Sequence, residues 1–148
     1  MKGSSDVLVA GALVALGYAL RAIVERFSWT DEPYKMVLVV NDELKMGKGK
    51  IGAQCAHAAV AVVERVADSQ PHVLDAWEEN GQAKICLRAD STATLTKLAR
   101  QAKKAGLPAY LVADAGRTQV APGSKTVLAI GPGPKSALDA ITGTLKLL

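Results

Sequence analysis

The chain has 148 residues, a net charge of +4 and 49% hydrophobic content, enough for one ordinary domain and not comfortably for two. Two separated cysteines and two histidines give neither a disulfide framework nor zinc-ligand spacing, so no metal or cofactor is expected. From Tyr34 onward 15 Lys/Arg stand against 10 Asp/Glu, a basic balance compatible with a polyanionic partner.

Residues 7–24 hold one charge, Arg21. Eighteen residues is marginal for a bilayer span. A signal peptide wants a more basic start and a small-x-small cleavage site, and a buried helix is possible but would be unusually apolar all round. The favoured expectation is an N-terminal anchor over residues 1–24, with a polar linker over 25–33. Lys2 lies before the span while Arg21 and Arg26 follow it, which places the domain at 34–148 on the cytosolic side.

The domain opens on Lys35–Val40, a continuous run of β-formers that predicts a strand buried on both faces. A helix follows, to about Ala67. Ser69-Gln70-Pro71 starts a second helix that ends at Asn80-Gly81. Ala83–Arg88 is a second strand. Asp90-Ser91 caps a third helix carrying Leu95, Leu98, Ala99 and Ala102 on one face, and Gly106-Leu107-Pro108 stops it. Ala109–Ala113 and Thr126–Ile130 are strands three and four. Gly131-Pro132-Gly133-Pro134 reads as a rigid turn into a last helix with Leu138, Ile141 and Leu145 inward. The order βααβαββα predicts a single α/β sandwich with a mixed sheet.

Two polar stretches carry the chemistry. Lys45-Met46-Gly47-Lys48-Gly49-Lys50 links the first strand to the first helix. A glycine-rich, lysine-bearing helix start suits an anion, although the Walker A spacing is absent. Lys50, Gln54 and His57 fall at i, i+4, i+7 on one stripe, beside an apolar stripe of Ile51, Cys55, Ala58, Val62 and Val66. The bland alternative is a tight turn with solvated lysines and a histidine that supports the fold. The second stretch runs from Asp114 to Thr126, with Arg117, Thr118, Ser124 and Lys125. Asp114 sits just past a strand end, where ligand sites gather in α/β sheets; local turn hydrogen bonds are its alternative. Ser124 lacks a nucleophile-elbow context and Cys55 lies on the apolar stripe, so a positioned water is the better nucleophile candidate.

KMVLVV, KMGKGKIGAQCAHAAV, DAGRTQVAPGSKTVLAIGPGP and the closing ITGTLKLL resemble the type-2 peptidyl-tRNA hydrolases of archaea and eukaryotes, in order, from Lys35 to Leu148. The resemblance implies a three-layer sandwich with a four-stranded mixed sheet and helices on both faces, forming a homodimer. It implies cleavage of the ester between peptide and tRNA. By motif, Lys50, Asp114, Thr118 and Thr126 are the catalytic positions, and Gln54 and His57, expected to bind substrate, match the helix pattern after the lysine. For a polyanionic substrate Lys45, Lys48 and Arg117, with Lys125 as an auxiliary, are the expected phosphate contacts, with plain solvation as their alternative. Lys50 nearby works against Asp114 as a simple base and favours its orienting water and lysine. Asn41 stands where the family commonly has arginine. The hydrophobic extension resembles animal members of the mitochondrial outer membrane, so that membrane or the cytoplasm is the expected location. The alternative is a membrane-anchored regulator of cell death that works through protein partners.

Overall fold

A computed structural model describes residues 14–18, 32–115 and 120–148. The chain divides into two compact units, 1–32 and 33–148. In the first, Val14–Tyr18 are helical, with Val14, Leu16 and Tyr18 exposed. Most of the expected anchor, and all of residues 19–31, lie outside the described residues. Among the described residues no helix is long and apolar enough to cross a membrane.

In the second unit, strand β1 (Tyr34–Asn41) leads through a 3-10 turn (Asp42–Leu44) into helix α1 (Lys48–Ser69) and helix α2 (Pro71–Glu79). Strand β2 (Lys84–Ala89), helix α3 (Thr92–Lys104), strands β3 (Ala109–Ala113) and β4 (Lys125–Pro134), helix α4 (Lys135–Thr142) and the short strand β5 (Lys146–Leu147) complete it. The sheet order is β3-β4-β1-β2-β5. β1 pairs parallel with β2 and antiparallel with β4, and β4 pairs antiparallel with β3. Two antiparallel steps make β3 parallel to β1. Both strands therefore end at the same edge of the sheet, and that positions the site.

The sheet is mixed, as expected, but has five strands rather than four. β5 adds two residues antiparallel to β2, Leu87 facing Leu147 and Arg88 facing Lys146. So short a terminal pairing leaves no alternation to read. The Gly131–Pro134 turn is also corrected: these residues extend β4, with Lys35 opposite Gly133 and Tyr34 opposite Pro134. The register shifts between Lys35 and Val37, so Gly131 and Pro132 face Met36 alone. Proline belongs at such an irregularity because it cannot donate to a regular ladder. Gly131 takes φ +96°, and a Cβ there would meet the Lys35 carbonyl oxygen at 2.8 Å.

Alternation along β1 builds two cores. Val37 and Val39 join Leu128 and Ile130 of β4 under Leu95, Leu98 and Ala102 of α3 and Leu138 of α4. Ile141 and Leu145 pack against the same cluster. Met36, Leu38 and Val40 point the other way. On that face α1 lies over β4, β3 and β1 with α2 beside it, burying Ala58, Val62, Val66, Val73 and Trp77. Burial on both faces explains why β1 reads as an unbroken apolar run. At about 25 cal/mol per Å2 of apolar surface, these two layers are the main force ordering the helices on the sheet.

Candidate active site

β1 hands over to α1 through a tightly fixed connection. Asn41, 1% exposed, accepts a hydrogen bond from the Glu43 amide and donates to the Thr92 hydroxyl and the Lys125 carbonyl, both at 2.9 Å. Lys45 reverses the chain at φ 46°. Met46 is buried and pins the loop. Gly47 then caps α1, its carbonyl accepting from Ile51 N–H at 2.9 Å. The result puts Lys48 and Lys50 in the first turn, with no acidic residue among them. Positive charge is disfavoured at that end of the dipole.

The compensating carboxylate comes from the end of β3. Asp114 Oδ1 lies 2.7 Å from Lys50 Nζ, and the two side chains are only 9% and 11% exposed. One turn along α1, Gln54 is buried. Its Nε2 donates to the same Oδ1 at 3.5 Å, and its Oε1 accepts from Thr126 Oγ1 at 2.5 Å. A carboxylate, an ammonium, an amide and a hydroxyl thus form one connected set, drawn from α1, the end of β3 and β4.

Thr126 reaches Gln54 because of a fault in the β3–β4 ladder. Val112 pairs with Val127 but Ala113 pairs with Lys125, leaving Thr126 as an extra residue. Lys125 turns its amine to Thr96 on α3, while Thr126 turns to α1. A bulge re-aims a side chain in this way and is common beside active sites. The flanking loop is closed by Asp114 N–H donating to the Ser124 carbonyl at 2.9 Å and Gly123 N–H to the Asp114 carbonyl at 2.7 Å.

The remaining candidates divide. His57 is exposed and lines a cleft of about 430 Å3 with Gln54 and Asp114. Lys45 is exposed and pairs with Asp42 at 2.9 Å. Lys48 is exposed at the helix start. Arg117 and Thr118 lie outside the described residues. Ile51 is only half-buried, while the polar Gln54 is buried. Cys55 is buried. Burial, and secondarily the adjacent Cys86 thiol, push its pKa to about 12, which suits packing and not nucleophilic attack. Among the described residues no group of three or more His, Cys, Asp or Glu could hold a metal ion.

Asn41, expected only as a replacement for a family arginine, supports the candidate site through its buried hydrogen bonds. A polar residue closing an otherwise apolar strand is the signal that it makes buried hydrogen bonds. Its amide holds the chain one residue before Thr126 and so supports the bulge.

The sequence matches known proteins. The model of the family described as peptidyl-tRNA hydrolase PTH2 covers residues 34–148. The chain is 53% identical over 114 residues to peptidyl-tRNA hydrolase 2, mitochondrial, of Bos taurus, covering 77% of this chain and 64% of that one. It is 48% identical over 118 residues to the probable peptidyl-tRNA hydrolase 2 of Drosophila melanogaster, covering 80% and 63%. It is 42% identical over 115 residues to the peptidyl-tRNA hydrolase of Thermococcus sibiricus, covering 78% of this chain and 98% of the archaeal one. The chain thus spans somewhat under two thirds of the animal relatives and nearly all of the archaeal one.

Proposed function

The chain belongs to the peptidyl-tRNA hydrolase PTH2 family, and we propose that it hydrolyses the ester joining a peptide to the 3′ ribose of tRNA. The observation that carries this is the nearly buried Lys50–Asp114 pair at 2.7 Å, linked through Gln54 to Thr126. Water attacks the acyl carbon, the carbon–oxygen bond to the ribose breaks, and the products are a free peptide carboxyl group and a tRNA hydroxyl. An ammonium has three donors, and among the described residues Lys50 donates only to Asp114. Its other donors serve the negative charge that develops on the acyl oxygen. Asp114 fixes the lysine and orients the attacking water. Thr118 hydrogen-bonds around the ester and ribose, while Thr126, fully buried, acts through Gln54, whose amide it holds at the cleft.

Lys45, Lys48 and Arg117 contact phosphates without reading sequence. His57 contacts the substrate at the cleft rim. The relatives named mitochondrial support a mitochondrial location, and residues 7–24 as an anchor on the outer membrane facing the cytosol are the finer form of that reading. A homodimer is the proposed assembly, which light scattering on the purified domain tests directly. The relatives quoted above carry the hydrolase in their names and not the cell-death regulator. The experiment is to incubate the full chain with N-acetyl-aminoacyl-tRNA. Release of N-acetyl amino acid and deacylated tRNA, without added metal, is expected; binding with no release defeats the proposal.

A further inference from the structure

Beyond the reacting groups, the cleft has an occupant that its lining identifies. It starts at Gln54 and Asp114 and follows α1 past His57, Val60 and Ala61 to Glu64, with Tyr110 and Val112 of β3 as its other wall. Gln54 to Glu64 is ten residues, about 15 Å at the helical rise. That accommodates about four residues of extended chain. Val60 is 58% exposed on α1, an apolar side chain displayed where a helix surface is normally polar.

Charge decides which half of the substrate lies there. Among the described residues no lysine or arginine lines the cleft, and its charged groups are the carboxylates of Asp114, paired with Lys50, and Glu64. Arg65, near the far end, is turned onto the Tyr110 ring 4.6 Å away. Lys45 and Lys48 are exposed at the opposite end, just before α1 and in its first turn. A strand with a phosphate at every nucleotide is drawn to the lysine end and repelled along the cleft. We infer that the cleft from Gln54 to Glu64 is the channel for the peptide of the substrate, and that Val60 and Tyr110 contact its last few side chains. This rests on the hydrolase reading. It adds the direction in which the substrate lies across the site and the residues that sense peptide length.

The test compares two substrates on the full chain: tRNA charged with an apolar tetrapeptide, and the same tRNA charged with one N-acetylated amino acid. The readout is the ratio of their kcat/KM values. Val60→Glu is expected to lower the tetrapeptide-to-single-residue ratio about tenfold, the scale of lost apolar pocket contacts. Lys48→Glu is expected to lower both values and leave the ratio within about twofold. Circular dichroism checks that each variant is folded, and Val60 is exposed enough for its change to be tolerated. An unchanged ratio in Val60→Glu overturns the channel, as does an equal fall in the ratio for Lys48→Glu. If the unaltered chain cleaves neither substrate, the hydrolase reading itself fails and the channel falls with it.

Discussion

At the scale of single residues, Lys50 and Asp114 are explained by each other. A lysine in the first turn of a helix opposes the dipole, and a nearly buried carboxylate needs a partner; at 2.7 Å each supplies what the other lacks. Gln54 and Thr126 extend the set. Thr126→Val keeps the shape but leaves the buried Gln54 oxygen without its donor. The expected cost is about 2 kcal/mol in urea unfolding, with a fall of about tenfold in kcat/KM. Cys55 gives a test of a different kind. With its pKa raised from 9.0 to about 12, the folded thiol stays protonated where the unfolded one ionises. Stability is therefore unaffected by this group below about pH 9 and is lost as pH rises from about 9 toward 12. At pH 8 Cys55 is expected to resist iodoacetamide in the folded protein and to react once unfolded, as peptide mass mapping will show. The stripe of Lys50, Gln54 and His57 was legible from spacing alone. The inward turn of Gln54 was not, because its partner Thr126 lies 72 positions away.

At the scale of elements, the helices and the first three strands follow from periodicity, caps and stop signals, each a local property. Ser91 illustrates this: its hydroxyl accepts from the Thr94 amide at 3.2 Å and starts α3 where the sequence says it should. The misreadings have equally definite causes. Gly131-Pro132 looks like a turn because those residues usually make turns. Here the irregular pairing with β1 accommodates them inside a strand, a tertiary circumstance no local rule contains. Gly131→Ala tests that account. At φ +96° with the Lys35 oxygen 2.8 Å from the new Cβ, both the backbone and the strand contact must give. A loss of about 3 kcal/mol is expected, lowering Tm on the order of 10 °C in a calorimetric scan. An unchanged Tm would show that the β1–β4 junction relaxes freely. The bulge at Thr126 was likewise invisible, since a bulge is a property of two strands and not of one.

At the scale of the molecule, parallel β1 and β3 bring Lys50 and Asp114, 64 positions apart, to one edge of the sheet. The order of elements predicts an α/β sandwich but does not say that β4 lies between β3 and β1. The convergence of the two polar stretches was therefore legible through the family resemblance and not from the residues alone. The same topology separates charge, with exposed lysines at the start of α1 and, running away from it, a cleft that no basic residue lines among the described residues. Hydrolysis is accordingly expected to weaken steeply with salt. Lys48→Ala should reduce the slope of log kcat/KM against log salt by about one, measured from about 50 to 200 mM salt. A slope identical to that of the unaltered chain would place the phosphates elsewhere. The central claim is that this meeting of two distant segments performs the ester cleavage. Its most direct test is the rate of peptidyl-tRNA hydrolysis by Lys50→Ala and by Asp114→Asn, with each variant shown to be folded. Each variant is expected to lose on the order of 100-fold or more in kcat/KM. Rates equal to that of the unaltered chain in both folded variants would contradict it.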